Sequence, residues 1–159
     1  MDTLAVGGLL RDMARLHVQI QREGVSQCAS TTSTQCAILT ELGRSGAMTL
    51  ADLGRRVGLD KGWISRTVEG LAAEGLIHKV QSETDRRTIH VALSSTGEDR
   101  CETLNHILNA QAERVISHIP PEDRDCVFHA LQLLQAALHN ERLDPQEILE
   151  TASVKDGAA

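Results

Sequence analysis

Five residues near the middle of the chain have side chains suited to contact the bases and phosphates of nucleic acid. They follow a predicted helix cap at Asp60 and are Lys61, Gly62, Trp63, Ser65 and Arg66. The first residues of a recognition helix point into the major groove, where an arginine binds guanine through two hydrogen bonds. Gly62 leaves room for backbone to approach a duplex, and helix N-terminal amides favour phosphate. The pattern predicts a DNA-contacting surface at the start of this helix.

A second basic site lies between two short apolar runs, at residues 76–80 and 88–93, which predict a β-hairpin. The polar segment between the runs carries Arg86 and Arg87. Arginine side chains enter narrow minor grooves, and Asp85 is placed to hold one of the two extended. We therefore expect the hairpin tip to contact the minor groove beside the helix.

The elements that would position these residues have clear start and stop signals. Thr49 is followed three residues later by Asp52, which predicts the capped start of a short helix over residues 50–57. Gly58 ends that helix, since glycine accepts the left-handed conformation of a C-terminal turn. The next helix ends at Gly75 and has apolar residues at helical spacing, namely Ile64, Val68, Leu71 and Ala72. Helix, glycine turn, helix and hairpin is the order of a winged helix-turn-helix.

Several motifs resemble the MarR family of winged helix-turn-helix transcriptional regulators. The hairpin resembles the family's wing signature, Asp-x-Arg followed by Val-x-Leu-Ser-x-x-Gly, in the run from Asp85 to Gly97. The other matching motifs are Thr32-x-x-Gln35-x-x-Ile38-Leu39, Leu50-x-x-Leu53, Ser65-Arg66 and Leu71-x-x-x-Gly75-Leu76. The resemblance covers roughly residues 4–140. It implies a mainly α fold with a small β-hairpin wing, flanked by N- and C-terminal dimerisation helices. The alternative is a winged helix used only for protein contacts.

Apolar stripes flank the predicted DNA-binding module on both sides. A helix over residues 4–23 carries Leu9, Met13, Leu16 and Ile20, and Gly24 is expected to end it. After a capping box at Thr32 and Gln35, a second helix leads into the module. A long helix is expected from Ser95 or Thr96 to Ile119, and Pro121 should open a last helix carrying Val127, Leu131, Leu134 and Leu138.

The resemblance implies that these flanking helices interlock as a homodimer that binds a pseudo-palindromic double-stranded DNA operator. We divide the chain into an N-terminal dimerisation helix and loop (1–31), the winged helix-turn-helix (32–97), C-terminal dimerisation helices (98–143) and a flexible tail (144–159). A monomeric three-helix pack is the alternative for the flanking helices.

Charge and composition limit the classes of function. The net charge is −6, but residues 51–91 hold seven Lys or Arg against six acids, so the module is slightly basic. No nucleophile triad, phosphate loop or dinucleotide motif occurs in the sequence, which argues against an enzyme. With no export signal or membrane-spanning apolar run, we expect a cytoplasmic protein without membrane contact.

Three cysteines are candidates for sensing a signal. Cys28 lies in a polar loop, Cys36 in the first turn of a helix whose dipole is expected to lower its pKa, and Cys101 near the start of the long helix. Thiolates bind soft metal or metalloid ions and form disulfides on oxidation, so the signal would be such an ion or an oxidant. No cofactor is required for DNA binding. In this interpretation the protein is a repressor whose DNA affinity falls when the thiols react.

One alternative remains for the signal. In it the cysteines are small buried hydrophobes, because free cysteine is among the most buried residue types. The effector is then a small organic ligand in the cleft between the dimer arms and the DNA-binding module. An aromatic content of 1% disfavours a phenolic ligand, and the seven histidines include no pair four residues apart, which disfavours zinc.

Overall fold

A computed structural model describes residues 3–26, 28, 31–81 and 89–141. The predicted wing residues Asp85, Arg86 and Arg87 and the predicted tail lie outside the described residues. The helices are α1 (Thr3–Val25), α2 (Ser33–Ser45), α3 (Leu50–Val57), α4 (Lys61–Ala73), α5 (Ser95–Ser117) and α6 (Arg124–Glu141). The strands are β1 (Met48–Thr49), β2 (Ile77–Gln81) and β3 (Ile89–Leu93). No helix in the described ranges is long and apolar enough to cross a membrane.

The helix starts of the module follow the caps that the sequence predicts. At α2 the Thr32 hydroxyl accepts from the Gln35 amide, and the Gln35 side chain accepts from the Thr32 amide at 2.9 Å, which confirms the capping box. Thr49 caps α3 by accepting from the Asp52 amide at 3.1 Å. Gly58 ends α3 in the left-handed region at φ 71°, as expected for a glycine at this position.

The wing belongs to a three-stranded antiparallel sheet with the order β1-β3-β2. Strands β2 and β3 form the predicted hairpin, with Ile77 opposite Leu93 and Gln81 opposite Ile89. The two-residue strand β1 pairs Met48 with Val91 and was not predicted, because two residues carry no periodicity. It fixes the start of α3 against the centre of the sheet.

The core is formed by side chains of α2, α3, α4, the sheet and the first part of α5. Its most buried members, each at most 2% exposed, include Leu39, Leu53, Ile64, Val91 and Leu104. These residues all belong to a compact unit spanning Met1–Arg114. Because α3 and α4 each contribute one buried face, their opposite faces are presented to solvent.

Helix α1 continues through Gly24 to Val25, so the prediction that Gly24 ends it is wrong. The buried side chain of Gln111 on α5 lies directly against Gly24, where a Cβ would overlap its carboxamide. Glycine serves here for close packing of two helices rather than for a turn. The predicted apolar stripe of α1 is exposed, with Leu9 at 62% and Leu16 at 53%.

The second compact unit is Val115–Ala159, described to residue 141. Helix α5 ends at Ser117, two residues earlier than predicted, and Pro121 opens a single 3-10 turn (Pro121–Asp123) before α6. The Arg124 side chain donates to the Ile119 carbonyl at 3.1 Å and fastens this turn. On α6, Leu131 is 43% and Leu138 is 52% exposed.

Candidate nucleic-acid interface

Helix α4 is fixed at its start by a side-chain cap and along its length by a buried face. The Asp60 carboxylate accepts from the Trp63 amide at 2.9 Å, which confirms the predicted cap. Ile64, Val68 and Leu71 are at most 2% exposed and anchor the helix in the core. This anchoring places the side chains at the start of α4 on its outer side.

An exposed aromatic and cationic pair lies at that outer side. Trp63 is 50% exposed, and the guanidinium carbon of Arg66 lies 5.6 Å from the centre of its ring. The Arg66 Nε atom also donates to the Gly62 carbonyl at 3.2 Å. Cation–π contact at such an exposed site contributes about 0.5–1 kcal/mol, so the guanidinium is oriented yet easily released to a partner. Lys61 is exposed five residues before Arg66, at the first position of α4.

The neighbouring acids limit how this surface can bind an anion. Asp60 already occupies the Trp63 amide, so that amide is not available to a phosphate. Glu69, one turn further along α4, accepts from Ser65 at 3.4 Å and lies 3.9 Å from the Lys79 ammonium. Binding of an anion by this surface therefore depends on the cationic side chains. The sequence analysis had expected the helix amides to take part.

The structure brings the helix half of the predicted site together. Lys61, Gly62, Trp63, Ser65 and Arg66 share the first turn and a half of α4. The wing half of the site lies outside the described residues. Contact of these residues with DNA stays a prediction.

An ionic network that the sequence did not reveal joins α2 to α3. Glu41 accepts from Arg44 at 2.6 Å, from Ser45 at 2.9 Å and from Arg56 at 2.9 Å, and its side chain is only 12% exposed. Burial alone would raise the pKa of Glu41, but the hydrogen bonds from Arg44, Arg56 and Ser45 outweigh it and lower that pKa. Arg44 and Ser45 lie about one helical turn after Glu41, but Arg56 is fifteen residues away on α3, so no local pattern indicates the link between the two helices.

A second tether joins the start of α2 to the end of α4. The Gln35 side chain, which caps α2 through its oxygen, donates through Nε2 to Glu74 at 3.0 Å. One amide group therefore connects the N-terminus of α2 to the C-cap residue of the helix that carries Trp63 and Arg66.

The cysteines are more buried than the sensing hypothesis needs. Cys28, Cys36 and Cys101 are each at most 6% exposed, whereas Cys126 is exposed. Burial raises the pKa of Cys36 to about 11, with further increases from the nearby Cys101 and Cys28. The prediction that the α2 dipole lowers this pKa is wrong, because desolvation of the thiolate outweighs the dipole. Burial also raises the pKa of Cys101.

Metal binding by these cysteines is not apparent in the geometry. Within the described ranges, no group of three or more Cys, His, Asp or Glu side chains is spaced to hold a metal ion. Cys101 instead borders a cavity of about 410 Å³ along α5, together with Gly43, Leu93, Asn105 and His106.

The structure has the elements of a winged-helix DNA-binding protein, namely a helix-turn-helix with Lys, Trp and Arg exposed at the start of its second helix, followed by a β-hairpin. Comparisons with known proteins agree. The MarR family model matches residues 31–89. The transcriptional regulator BilQ of Clostridium symbiosum is 25% identical over 116 residues, which are 73% of this chain and 76% of BilQ.

Two solved structures are similar over most of their length. A probable transcriptional regulator from Pseudomonas aeruginosa is 25% identical with a TM-score of 0.67, covering 81% of this chain and 96% of the other. BpsR of Bordetella bronchiseptica is 24% identical with a TM-score of 0.67, covering 82% and 98%. Its DNA binding is described as regulated by 6-hydroxynicotinic acid.

The MarR family model therefore matches the DNA-binding module of this chain, and the winged-helix fold that the sequence predicts is confirmed. The predicted resemblance to MarR-family transcriptional regulators is confirmed as well. The relatives are regulators and not enzymes, in agreement with the prediction for this chain.

Proposed function

We propose that this regulator is a homodimeric repressor that binds a pseudo-palindromic operator through the start of α4. The observation that carries the proposal is the exposed Trp63–Arg66 pair on a helix whose opposite face is fixed in the core. Arg66 would bind a guanine in the major groove, with Lys61 and Ser65 beside it. Arg86 and Arg87 would contact the minor groove, with Asp85 orienting one of them.

The test is a titration of the reduced protein with duplex DNA from its own upstream region. Trp63 is the only tryptophan of the chain, so tryptophan fluorescence reports binding at the start of α4. Fluorescence anisotropy of labelled DNA measures the same binding independently. We expect Arg66→Ala to cost about 1–3 kcal/mol of specific affinity. Arg15→Ala, which removes an exposed arginine of α1, is the matched control and should bind normally. Equal affinities for the two variants would remove Arg66 from the interface.

The homodimer is supported by the exposed stripe of α1. A soluble chain rarely leaves a continuous row of large apolar side chains in water, and a second copy is the partner that a two-fold operator requires. A dimer would set the two α4 helices roughly 34 Å apart on DNA. In light scattering, we expect Leu16→Glu to give monomers with weak operator binding. Arg11→Gln makes the same change in charge on the far side of α1 and should remain dimeric.

We propose that an organic effector lowers the DNA affinity by binding the cavity along α5. Its size of about 410 Å³ and its mixed lining, with the side chains of Leu93, Asn105 and His106, suit a small polar organic molecule. The regulation of BpsR by 6-hydroxynicotinic acid supports this class of signal.

Sensing by thiols is the second candidate, supported by the proximity of Cys36 to Cys28 and to Cys101. Operator binding should be titrated separately with arsenite, Cd(II), Cu(I) and peroxide, on wild type and on the Cys28→Ser/Cys36→Ser variant. Release that the double variant abolishes would favour the thiols. Release by none of these reagents would leave the α5 cavity as the effector site.

A further inference from the structure

The Arg66 guanidinium is oriented before any partner binds. Its carbon lies 5.6 Å from the centre of the Trp63 ring, and its Nε atom donates to the Gly62 carbonyl at 3.2 Å. Because Nε is engaged and the described residues accept nothing from the two Nη groups, those groups remain for a base. Guanine accepts two hydrogen bonds, at O6 and N7. The geometry therefore prepares Arg66 to bind guanine with the end of its side chain.

Arg66 lies between two positions of α4 that have no side chain. The residues one turn before and one turn after it are Gly62 and Gly70, and both are exposed. A Cβ on Gly70 would have no atom of the described residues within 4 Å, so packing does not require glycine there. Glycine within a helix is destabilising relative to alanine. These two bare positions suit a helix that approaches a partner closely, with the Trp63 and Arg66 side chains projecting from it.

The Trp63 ring is 50% exposed, although it is a large apolar surface. The backbone beneath it is fixed, because its amide donates to Asp60 at 2.9 Å and its carbonyl accepts from the Thr67 hydroxyl at 3.0 Å. An arginine that binds guanine through both Nη groups lies near the plane of that base. A ring beside the face of this guanidinium then reaches the neighbouring base pair, which is stacked roughly 3.4 Å away.

The major-groove edge of that neighbouring base pair decides whether an indole ring can pack against it. Thymine presents a C5 methyl group there, whereas the other bases present hydrogen-bond donors and acceptors. An apolar ring gains by covering a methyl group, and it leaves a covered amino or carbonyl group without its water. The methyl group of thymine is therefore the best partner for the exposed part of Trp63.

We propose that Trp63 selects a thymine in the base pair next to the guanine bound by Arg66, by packing its ring against the C5 methyl group. This inference rests on the proposed function, in which the start of α4 lies in the major groove. Each half-site of the operator then contains adjacent guanine and thymine contacts. Trp63 is a specificity-determining residue in its own right, in addition to orienting Arg66.

The test removes single methyl groups from the duplex of the upstream region. Each thymine is replaced in turn by deoxyuridine, which keeps every hydrogen-bonding group of the base, and binding of the full chain is measured by fluorescence anisotropy. The guanine is located as the base pair at which Arg66→Ala relaxes specificity. Deoxyuridine beside that guanine should weaken binding about fourfold, the effect of one buried methyl group, and about fifteenfold when both half-sites are changed.

Substitution of Trp63 shows whether its ring is the group that detects the methyl. In Trp63→Ala, thymine and deoxyuridine should bind equally well at the sensitive position. Ile64 and Val68 still anchor α4 in this variant, so it should remain folded. Ser65→Ala, at the same helix start, is the matched control and should retain the fourfold effect. A fourfold effect that persists in Trp63→Ala would overturn the assignment to this side chain.

Adding a methyl group is the complementary test. At the sensitive position, a C·G pair should weaken binding, and methylation of that cytosine at C5 should recover about fourfold of the loss. Deoxyuridine without effect at every thymine beside the guanine would overturn the inference, while binding to the unmodified duplex would leave the proposed function intact. A chain that does not bind the upstream duplex at all would refute the proposed function and this inference with it.

Discussion

Removing the charge of Glu41 tests whether the network between α2 and α3 stabilises the fold. The Arg44 pair is local and 69% exposed on the arginine side, so it contributes only about 0.3–0.5 kcal/mol. The Arg56 pair joins two helices, is half exposed and should contribute up to about 1 kcal/mol. Glu41→Gln keeps the shape of the side chain and one acceptor, so we expect it to lower the free energy of unfolding by about 1–1.5 kcal/mol at neutral pH.

The pH dependence distinguishes charge from shape. The folded pKa of Glu41 is lowered, so the carboxylate contributes stability that is present above its unfolded pKa and is lost as the pH falls through the folded pKa. The difference between wild type and Glu41→Gln should therefore be constant near pH 7 and shrink towards zero below about pH 4.

Urea unfolding, at one fixed protein concentration, measures these differences. A double-mutant cycle with Arg56→Gln isolates the pair between the helices, and we expect a coupling energy of about 0.5–1 kcal/mol. A zero coupling energy at neutral pH, or a destabilisation by Glu41→Gln that persists unchanged in acid, would refute this reasoning.

Three further substitutions have defined outcomes. Asp60→Asn keeps a capping side chain but removes a carboxylate beside the proposed interface. The free energy of unfolding should therefore change by less than about 0.5 kcal/mol. Operator affinity at low salt, measured by fluorescence anisotropy, should rise. Gly97→Ala would place a Cβ against the Leu76 carbonyl. We expect it to lower the free energy of unfolding, measured in urea, by more than about 2 kcal/mol. An unchanged free energy of unfolding would mean that α5 is loosely packed against Leu76. Gln111 donates to the Ile20 carbonyl at 2.8 Å, while its own buried side-chain oxygen has no hydrogen-bond partner in the described residues. Gln111→Leu should therefore change the free energy of unfolding by less than about 1 kcal/mol. A larger loss would show that the oxygen is hydrogen bonded.

The caps and turns of the module could be predicted from the sequence because each depends on residues only a few positions apart. Thr32, Thr49 and Asp60 all cap the helices expected of them. The exposed helix start that carries Arg66 was predictable for the same reason. The stacking of Arg66 on Trp63 was not predictable, since it depends on side-chain rotamers.

What the sequence did not predict depends on distant neighbours. Helix α1 passes through Gly24 because Gln111, on another helix, packs against it. The pKa of Cys36 rises because the fold buries the thiol, an effect that exceeds the local dipole of α2. The network around Glu41 needs α3 to fold back beside α2 before Arg56 can reach it.

Helix α2 is the element through which either proposed signal would reach α4. At its start, Gln35 is hydrogen bonded to Glu74 at the end of α4, and at its end Glu41 is paired with Arg56 of α3. The buried Cys36 lies between these tethers and near Cys28 and Cys101, and Gly43, two residues beyond Glu41, lines the cavity along α5. Oxidation of the thiols and binding of a ligand in the cavity would therefore both displace the same helix. A shift of α2 would then reach the end of α4 through the Gln35–Glu74 hydrogen bond and α3 through the Glu41–Arg56 pair, both of which are already made in this structure.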